Sequence, residues 1–429
     1  MKKLIFVFAL TGLAACAPSA NSVNSSALRI VPQNVPLNLV NAGPSSMAAP
    51  LSLGLTLTFD ILPPAASSTG NLQTYASDIT INGNYAYTAF NTVGAPQAGA
   101  VDVINLGLLG ALPYIDSSKY FSDFDVNTAV YSAGYVWALG AKNDIGAHIK
   151  KFPVSLGNLG TVAAEIDMVG HAGTGLAVSG GNLVASVGAN AGVQSVNATS
   201  GAVAAVVSVN DARDIKVLAN GDLLVLSGGS CLASSGVNNC DTSVGTKTPP
   251  RVTRYTSAGV VVWSTDLVGA TIAQSKSALV SGSTYAAASL GDGGLSMLCL
   301  ADGAIMNTVA PRTLSGVAPE LTVTNAVAAI PGMLVTADGA AGVSLYQIES
   351  STTGPTSACA KVKLTALGTT TFNDGSSVNN VSSGNFTASI GLLGVQIYAG
   401  RIYAAAGAKG FRTIDLNFQL TAATTIISL

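Results

Sequence analysis

The sequence predicts an all-β chain folded as a seven-bladed β-propeller, with six or eight blades as the neighbouring solutions. Three observations carry this. A glycine followed within two residues by a short aliphatic or aromatic run recurs at Gly83, Gly134, Gly181, Gly221, Gly282, Gly332 and Gly400. The steps run from 40 to 68 residues and average about 53, near the period of about 40–50 of four-stranded blades. The runs are short and separated by turn residues, and no helical stripe of useful length interrupts them.

In chain order, Lys2-Lys3 followed by apolar Leu4 to Leu10 reads as a signal peptide over 1–15, too short to span a bilayer, which takes about 20 residues. Residues 16–50, rich in Ser, Asn, Ala and Pro, read as a flexible tether, and 51–429 as the propeller. Leu55-Thr56-Leu57-Thr58-Phe59 alternates with period two ahead of the first repeat. It is a candidate to close the ring against the last blade, with Thr424 to Leu429 as a second candidate. Pro63-Pro64 then breaks the chain.

Each repeat has one grammar. An alternating strand precedes the glycine (Asp78 to Ile81, Leu176 to Val178, Ala278 to Val280, Val395 to Tyr398), and the hydrophobic strand comes after it. A third strand opens on another glycine: Gly99, Gly192, Gly294, Gly342 or Gly410. Tight joints need positive φ, which glycine adopts without steric penalty. Ser200-Gly201, Ala258-Gly259 and Asp302-Gly303 mark turns after third strands.

The segments Ile81-Asn82-Gly83-Asn84-Tyr85-Ala86-Tyr87 with Val101-Asp102-Val103-Ile104, and Gly400-Arg401-Ile402-Tyr403-Ala404 with Phe411-Arg412-Thr413-Ile414-Asp415-Leu416, resemble LVIVD-type and YVTN-type propeller repeats of bacterial and archaeal surface proteins. The repeats at Gly192 and Gly294 lack the third-strand Asp of that pattern. Leu13-Ala14-Ala15-Cys16 resembles the bacterial lipobox. That resemblance implies cleavage before Cys16, lipidation of its thiol and a durable membrane attachment, since two or more acyl chains anchor stably. Ala17 after the cysteine implies sorting to the outer rather than the inner membrane in a Gram-negative host. Ordinary secretory cleavage near Ala15 or Ala17 is the competing reading.

Composition narrows partners. Charged residues make up 9% of the chain, against about 25% in typical soluble proteins, and the formal net charge is −2. No basic stripe exists to hold nucleic acid, which is excluded as a partner. Apart from Cys16, four cysteines remain, an even number in an exported chain. Cys231 and Cys240 flank a turn-rich loop and are predicted to pair. Cys299 and Cys359 are the leftover pair, with a buried free thiol at Cys299 as the alternative.

The chemistry-bearing residues are few. His148 and His171 are the only histidines. His148 is expected on a strand surface and His171 in a turn, so no catalytic triad is predicted. Asp123 and Asp125 read as the start of a strand or as paired carboxylates, and Gly291-Asp292-Gly293-Gly294 as a hairpin. No metal or cofactor is expected. Loops leading into the innermost strands of a propeller line one mouth of its channel, and that placement brings Asp78, Arg213, Asp214 and Lys276 together as axial binding candidates; turn capping is the competing reading. The first expectation is a lipid-anchored envelope module that binds or scaffolds another envelope protein or a glycan, with catalysis left open. The alternatives are a lactonase-, quinoprotein- or lyase-like propeller enzyme and a structural surface-layer component.

Overall fold

Burial on both faces explains why the glycine-led runs are so uniformly apolar. In a computed structural model of the chain, Leu223–Ser227, Tyr285–Ser289 and Met333–Ala337 are buried at every position. The structure describes residues 29–38, 52–65, 72–94, 96–107, 112–188, 191–228, 249–267, 277–372, 374–390, 396–420 and 429. They form seven antiparallel sheets, each one blade of a β-propeller.

Blade one runs from its innermost strand Tyr75–Asn82 through Tyr85–Asn91 and Gly99–Asn105 to Tyr114–Phe121. Blades two to six begin with innermost strands Phe124–Ser132, Gly175–Ser179, Ala212–Val217, Leu279–Ser281 and Ala326–Ile330. Blade seven begins with Asn380–Ile390, followed by Gln396–Ala405 and Phe411–Leu420. Successive innermost strands pack side by side, and that of blade seven returns to that of blade one. Seven hydrophobic clusters fill the junctions between neighbouring blades; Ile61, Ile79, Phe90, Ile104, Tyr403 and Phe411 form the one joining blades seven and one.

The ring closes as the Leu55–Phe59 pattern predicts. Ser52–Ile61 supplies the fourth strand of blade seven, antiparallel to Phe411–Leu420, with Leu55 opposite Leu416 and Ile61 opposite Phe411. Joining the two ends of the fold in one sheet removes an edge that would otherwise remain open. The fold also reaches further back than residue 51. Ile30–Leu37 forms a fifth strand on Ser52–Ile61, although the sequence places it in the tether. Pro32 and Pro36 mask it, because proline is tolerated on an edge strand. Arg29 anchors its start through a buried ion pair with Asp102 and a 2.7 Å bond from Nε to the Leu62 carbonyl.

One of the seven marker glycines is not a joint. Gly83, Gly134, Gly181, Gly221, Gly282 and Gly332 lie at hairpins between first and second strands, but Gly400 lies inside Gln396–Ala405, opposite Leu416. Val395 to Tyr398 is therefore not a separate first strand; Asn380–Ile390 takes that place. Gly83, Gly134, Gly181, Gly221 and Gly332 turn with φ of 57 to 87°, whereas Gly400 keeps the extended backbone of its strand.

The glycines opening the third strands have a different cause. Gly192, Gly294, Gly342 and Gly410 combine φ of 67 to 83° with close packing. A Cβ at Gly342 would stand 2.1 Å from the Thr370 carbonyl oxygen on the outermost strand of its own blade.

Candidate axial binding site

Equivalent positions at the start of the innermost strands face the axis. The first carries Ser77, Asn127, Thr174, Arg213, Ser277, Asn325 and Asn379 through blades one to seven. All but Ser277 line one open cavity of about 360 Å³ at the channel mouth. The second position includes Asp78, Thr128, Gly175, Asp214 and Asn380, which line a deeper cavity of about 260 Å³ walled by innermost strands of all seven blades.

The mouth residues are also staples. Ser77 Oγ donates to the Val126 carbonyl (2.8 Å), Asn127 Nδ2 to Gly173 (2.8 Å) and Thr174 Oγ1 to Ala212 (2.7 Å). Asn325 Nδ2 donates to Val378 (3.2 Å) and Asn379 Nδ2 to Ala76 (3.1 Å). In each case the acceptor is the residue just before the mouth position of the next blade. A side chain held this way has lost its rotamer freedom before any ligand arrives, which lowers the ordering cost of binding. Small polar residues do this because they reach a neighbouring carbonyl without filling the channel.

The predicted axial residues separate into two levels. Arg213 lies at the mouth, where its Nε is 2.7 Å from Asp211 Oδ1 and its Nη2 2.8 Å from Asp211 Oδ2. Asp78 and Asp214 lie deeper. Asp78 accepts from Asn380 Nδ2, and Asp214 accepts from Lys216 Nζ (2.9 Å), the Leu279 amide (2.7 Å) and the Ile215 amide (2.7 Å). Lys276 lies outside the described residues. The sequence reading missed the carboxamides Asn127, Asn325 and Asn379. Their signal was present: a Ser, Thr or Asn recurs two residues before the first apolar position of most innermost strands.

Charge elsewhere goes into the framework. Asp125 Oδ1 accepts from the Thr92 amide, Thr92 Oγ1 and the Ala98 amide, fixing the loop between second and third strands of blade one; burial pushes its carboxyl up. It thus acts as a loop clamp rather than as one of a carboxylate pair. His148 is not on a strand surface. It is 1% exposed, wedged edge-on against Phe124, with Nδ1 2.7 Å from Asp167 Oδ1 and Nε2 3.2 Å from Glu165 Oε2. The alternation around it misleads because a short outer strand, Ala164–Asp167, pairs along that edge and sets Asp167 beside it while Phe124 packs on its ring. Burial lowers its pKa against the pull of Asp167, with Lys142 and Lys150 acting in the same direction as burial. Neither histidine lines the mouth. Among the described residues no group of three or more His, Cys, Asp or Glu could hold a metal ion.

Cys299 and Cys359 form a disulfide, so the buried-thiol alternative falls. It joins the third strand of blade five, Leu295–Cys299, to the connection before the outermost strand of blade six, Val362–Thr370. Cys16, Cys231 and Cys240 lie outside the described residues. No helix among the described residues is long and apolar enough to cross a membrane.

No known protein-family profile matches the chain, and no curated protein matches it in sequence. Solved structures do. The structure of U3-55K aligns with a TM-score of 0.52 at 11% identity, over 80% of this chain and 95% of that one. The likeness is one of fold. The WD40 domain of Pan2 from Neurospora crassa aligns at 0.47 and 10% identity, over 82% and 90% of the two chains, and Sqt1 from Chaetomium thermophilum at 0.47 and 12%, over 80% and 95%.

Proposed function

We propose that this β-propeller is an exported, lipid-anchored cell-envelope protein that serves as a binding or scaffolding module for another envelope component, a protein or a glycan, through its axial mouth. The observation that carries the reading is convergence: six blades deliver a polar side chain to one open cavity of about 360 Å³, within the size range of about 300–1,000 Å³ for ligand sites. Five of those side chains are fixed by bonds to the next blade. The lipobox-like Leu13-Ala14-Ala15-Cys16 supports the anchor, and the likeness to LVIVD and YVTN repeats supports a place at the cell surface, with the outer membrane as destination.

Two measurements test this. The full chain, expressed in a Gram-negative host fed an alkyne fatty acid, incorporates label and fractionates with outer membranes, whereas Cys16→Ser does neither. A Cys16→Ser form that stays labelled and membrane-bound defeats the anchor. Cross-linking from intact envelopes captures a component through the mouth, and Asn91→Asp, at the rim, reduces that capture. Capture indifferent to that substitution defeats the axial site.

A further inference from the structure

The chemistry of the mouth is narrower than its size. Building on the axial binding site proposed above, we propose that the mouth takes an uncharged polyhydroxyl group, the terminal one or two sugar residues of a neutral glycan.

Carboxamides recur in the lining. Asn325, Asn379, Asn91 and Asn127 come from four consecutive blades, six, seven, one and two, with Asn91 Nδ2 donating to Asn127 Oδ1 at 3.2 Å. A carboxamide carries two N–H donors and an acceptor oxygen with two lone pairs; the bond to the next blade uses a donor, and at Asn127 the bond from Asn91 also uses the acceptor oxygen. A sugar hydroxyl donates and accepts at once, so it matches a carboxamide better than a purely anionic or cationic group does.

The charges argue the same way. Arg213 is bound at two nitrogens by Asp211, so a phosphate or carboxylate would have to displace that partner. Glu320, on the 3-10 turn Pro319–Leu321, adds negative charge at the rim and repels an anion further. A cationic ligand would find the carboxylate of Asp211 already neutralised, leaving Glu320 at the rim as the acidic residue of the lining. Apolar surface accompanies the polar groups: Leu321, 56% exposed, and Val323 also line the cavity. A sugar ring, with an apolar C–H face and polar edges, fits such a wall. The volume admits roughly one or two rings, near the lower end of the usual range for ligand sites.

Isothermal titration and saturation-transfer NMR on the full detergent-solubilised chain test this. The probes are maltose, cellobiose and N,N′-diacetylchitobiose, with digalacturonate and the glucosamine dimer as charged controls. The expected result is saturable binding of at least one neutral disaccharide, with Kd of about 1 mM or tighter, and weaker binding of the charged dimers. Asn91→Asp is expected to weaken the neutral ligand by about tenfold, the loss of one well-made hydrogen-bond pair. Thermal melting checks that the variant folds; should it not, Asn91→Ser replaces it. Glu320→Gln is expected to narrow the gap between digalacturonate and the neutral dimers, since it removes a negative charge that repels an anion at the rim. Silence across the neutral probes up to about 50 mM overturns the proposal. So does preference for a charged dimer. If the sugars are silent but envelope capture of a protein is still lost in Asn91→Asp, the mouth is a protein site: the inference fails and the proposed function stands. If both are silent, both fail.

Discussion

One methyl group separates two kinds of glycine in this chain. Gly134 turns with φ of 84° and has nothing within 4 Å of the place a Cβ would take. Gly134→Ala is therefore expected to cost about 1–2 kcal/mol, the left-handed penalty alone. Gly294 has φ of 76°, and its Cβ would also stand 2.1 Å from the Val309 carbonyl oxygen and 2.8 Å from the backbone of Ala310 and Pro311. Gly294→Ala is expected to cost about 3–5 kcal/mol, because neither backbone can yield. Urea denaturation of the two variants checks the ordering; equal losses would contradict it. Both glycines were legible as joints, since each opens an apolar run. Their different reasons were not, because the close approach is made by a strand some fifteen residues away. A second residue-scale prediction concerns acid. Hydrogen bonds from Lys142 and Lys150 pull the Glu165 carboxyl from 4.5 down to about 2. The charged form is favoured in the folded protein, so this stabilisation is present above pH 4.5 and is lost as pH falls towards 2. Glu165→Gln is expected to show a smaller fall in melting temperature across that window than the parent chain. An unchanged slope would remove Glu165 from the acid response.

Blade seven is the element least visible in the sequence, and it shows why. Its strands come from both ends of the described chain, so no local window contains its pattern. Gly400 resembled a hairpin glycine only because Arg401 to Ala404 repeats the aliphatic run that comes after the others. Its closing strand was legible as Leu55 to Phe59, whereas Ile30–Leu37, with two prolines, was not. What holds the composite blade is also remote in sequence. Arg412, 1% exposed, lies 3.1 Å from Asp60 on Ser52–Ile61, donates 2.7 Å to Ser376 Oγ, pairs with Asp374 and sits over the Phe372 ring at 4.5 Å. One guanidinium thus ties three segments. Burial pushes the Asp374 carboxyl up, but hydrogen bonds from Arg412 and Ser376 outweigh it and hold it well below the usual range. Asp60 is held above that range, because burial outweighs the attraction of Arg412. Arg412→Met would leave the Asp60 carboxylate buried without its partner, at about 3–5 kcal/mol. The expected signature is early hydrogen exchange in Ser52–Ile61. Adding Asp60→Leu is expected to recover much of the loss, since Asp60 is the carboxylate left buried, whereas Asp374 is partly exposed and lies 3.7 Å from Lys409. A double variant no more stable than Arg412→Met would mean that Arg412 acts through packing.

At the scale of the whole molecule, low charge and high polarity are two sides of one design. Arg29, Arg401 and Arg412 are buried against Asp102, Asp415 and Asp60, so part of an already small charge count lies inside. The sequence could show the scarcity but not the pairing, since Arg29 and Asp102 stand 73 residues apart and Arg412 and Asp60 stand 352 apart. Neighbouring blades are joined by side chains around the axis and, at several junctions, by turns at the periphery. There, Ser117 Oγ donates to Gly157 (2.7 Å) between blades one and two, and Thr265 Oγ1 to Gly303 (2.7 Å) between blades four and five. Between blades five and six, Ser357 Oγ and the Ala358 amide bond the Asp302 carboxylate, and the Cys299–Cys359 disulfide sits beside them. Such a bond spans a sequence separation of 60, for which restriction of the unfolded chain stabilises the fold by about 4 kcal/mol. Because every blade leans on two others around a closed ring, that stabilisation is shared by the whole propeller. The expected result is that Cys299→Ala with Cys359→Ala lowers the free energy of unfolding by up to about 4 kcal/mol while leaving one cooperative transition. Dithiothreitol is expected to lower the melting temperature of the parent chain but to act much less on the double variant. Two separated transitions, with blades five and six melting first, would show instead that the disulfide holds a local seam and that the ring does not unfold as a unit.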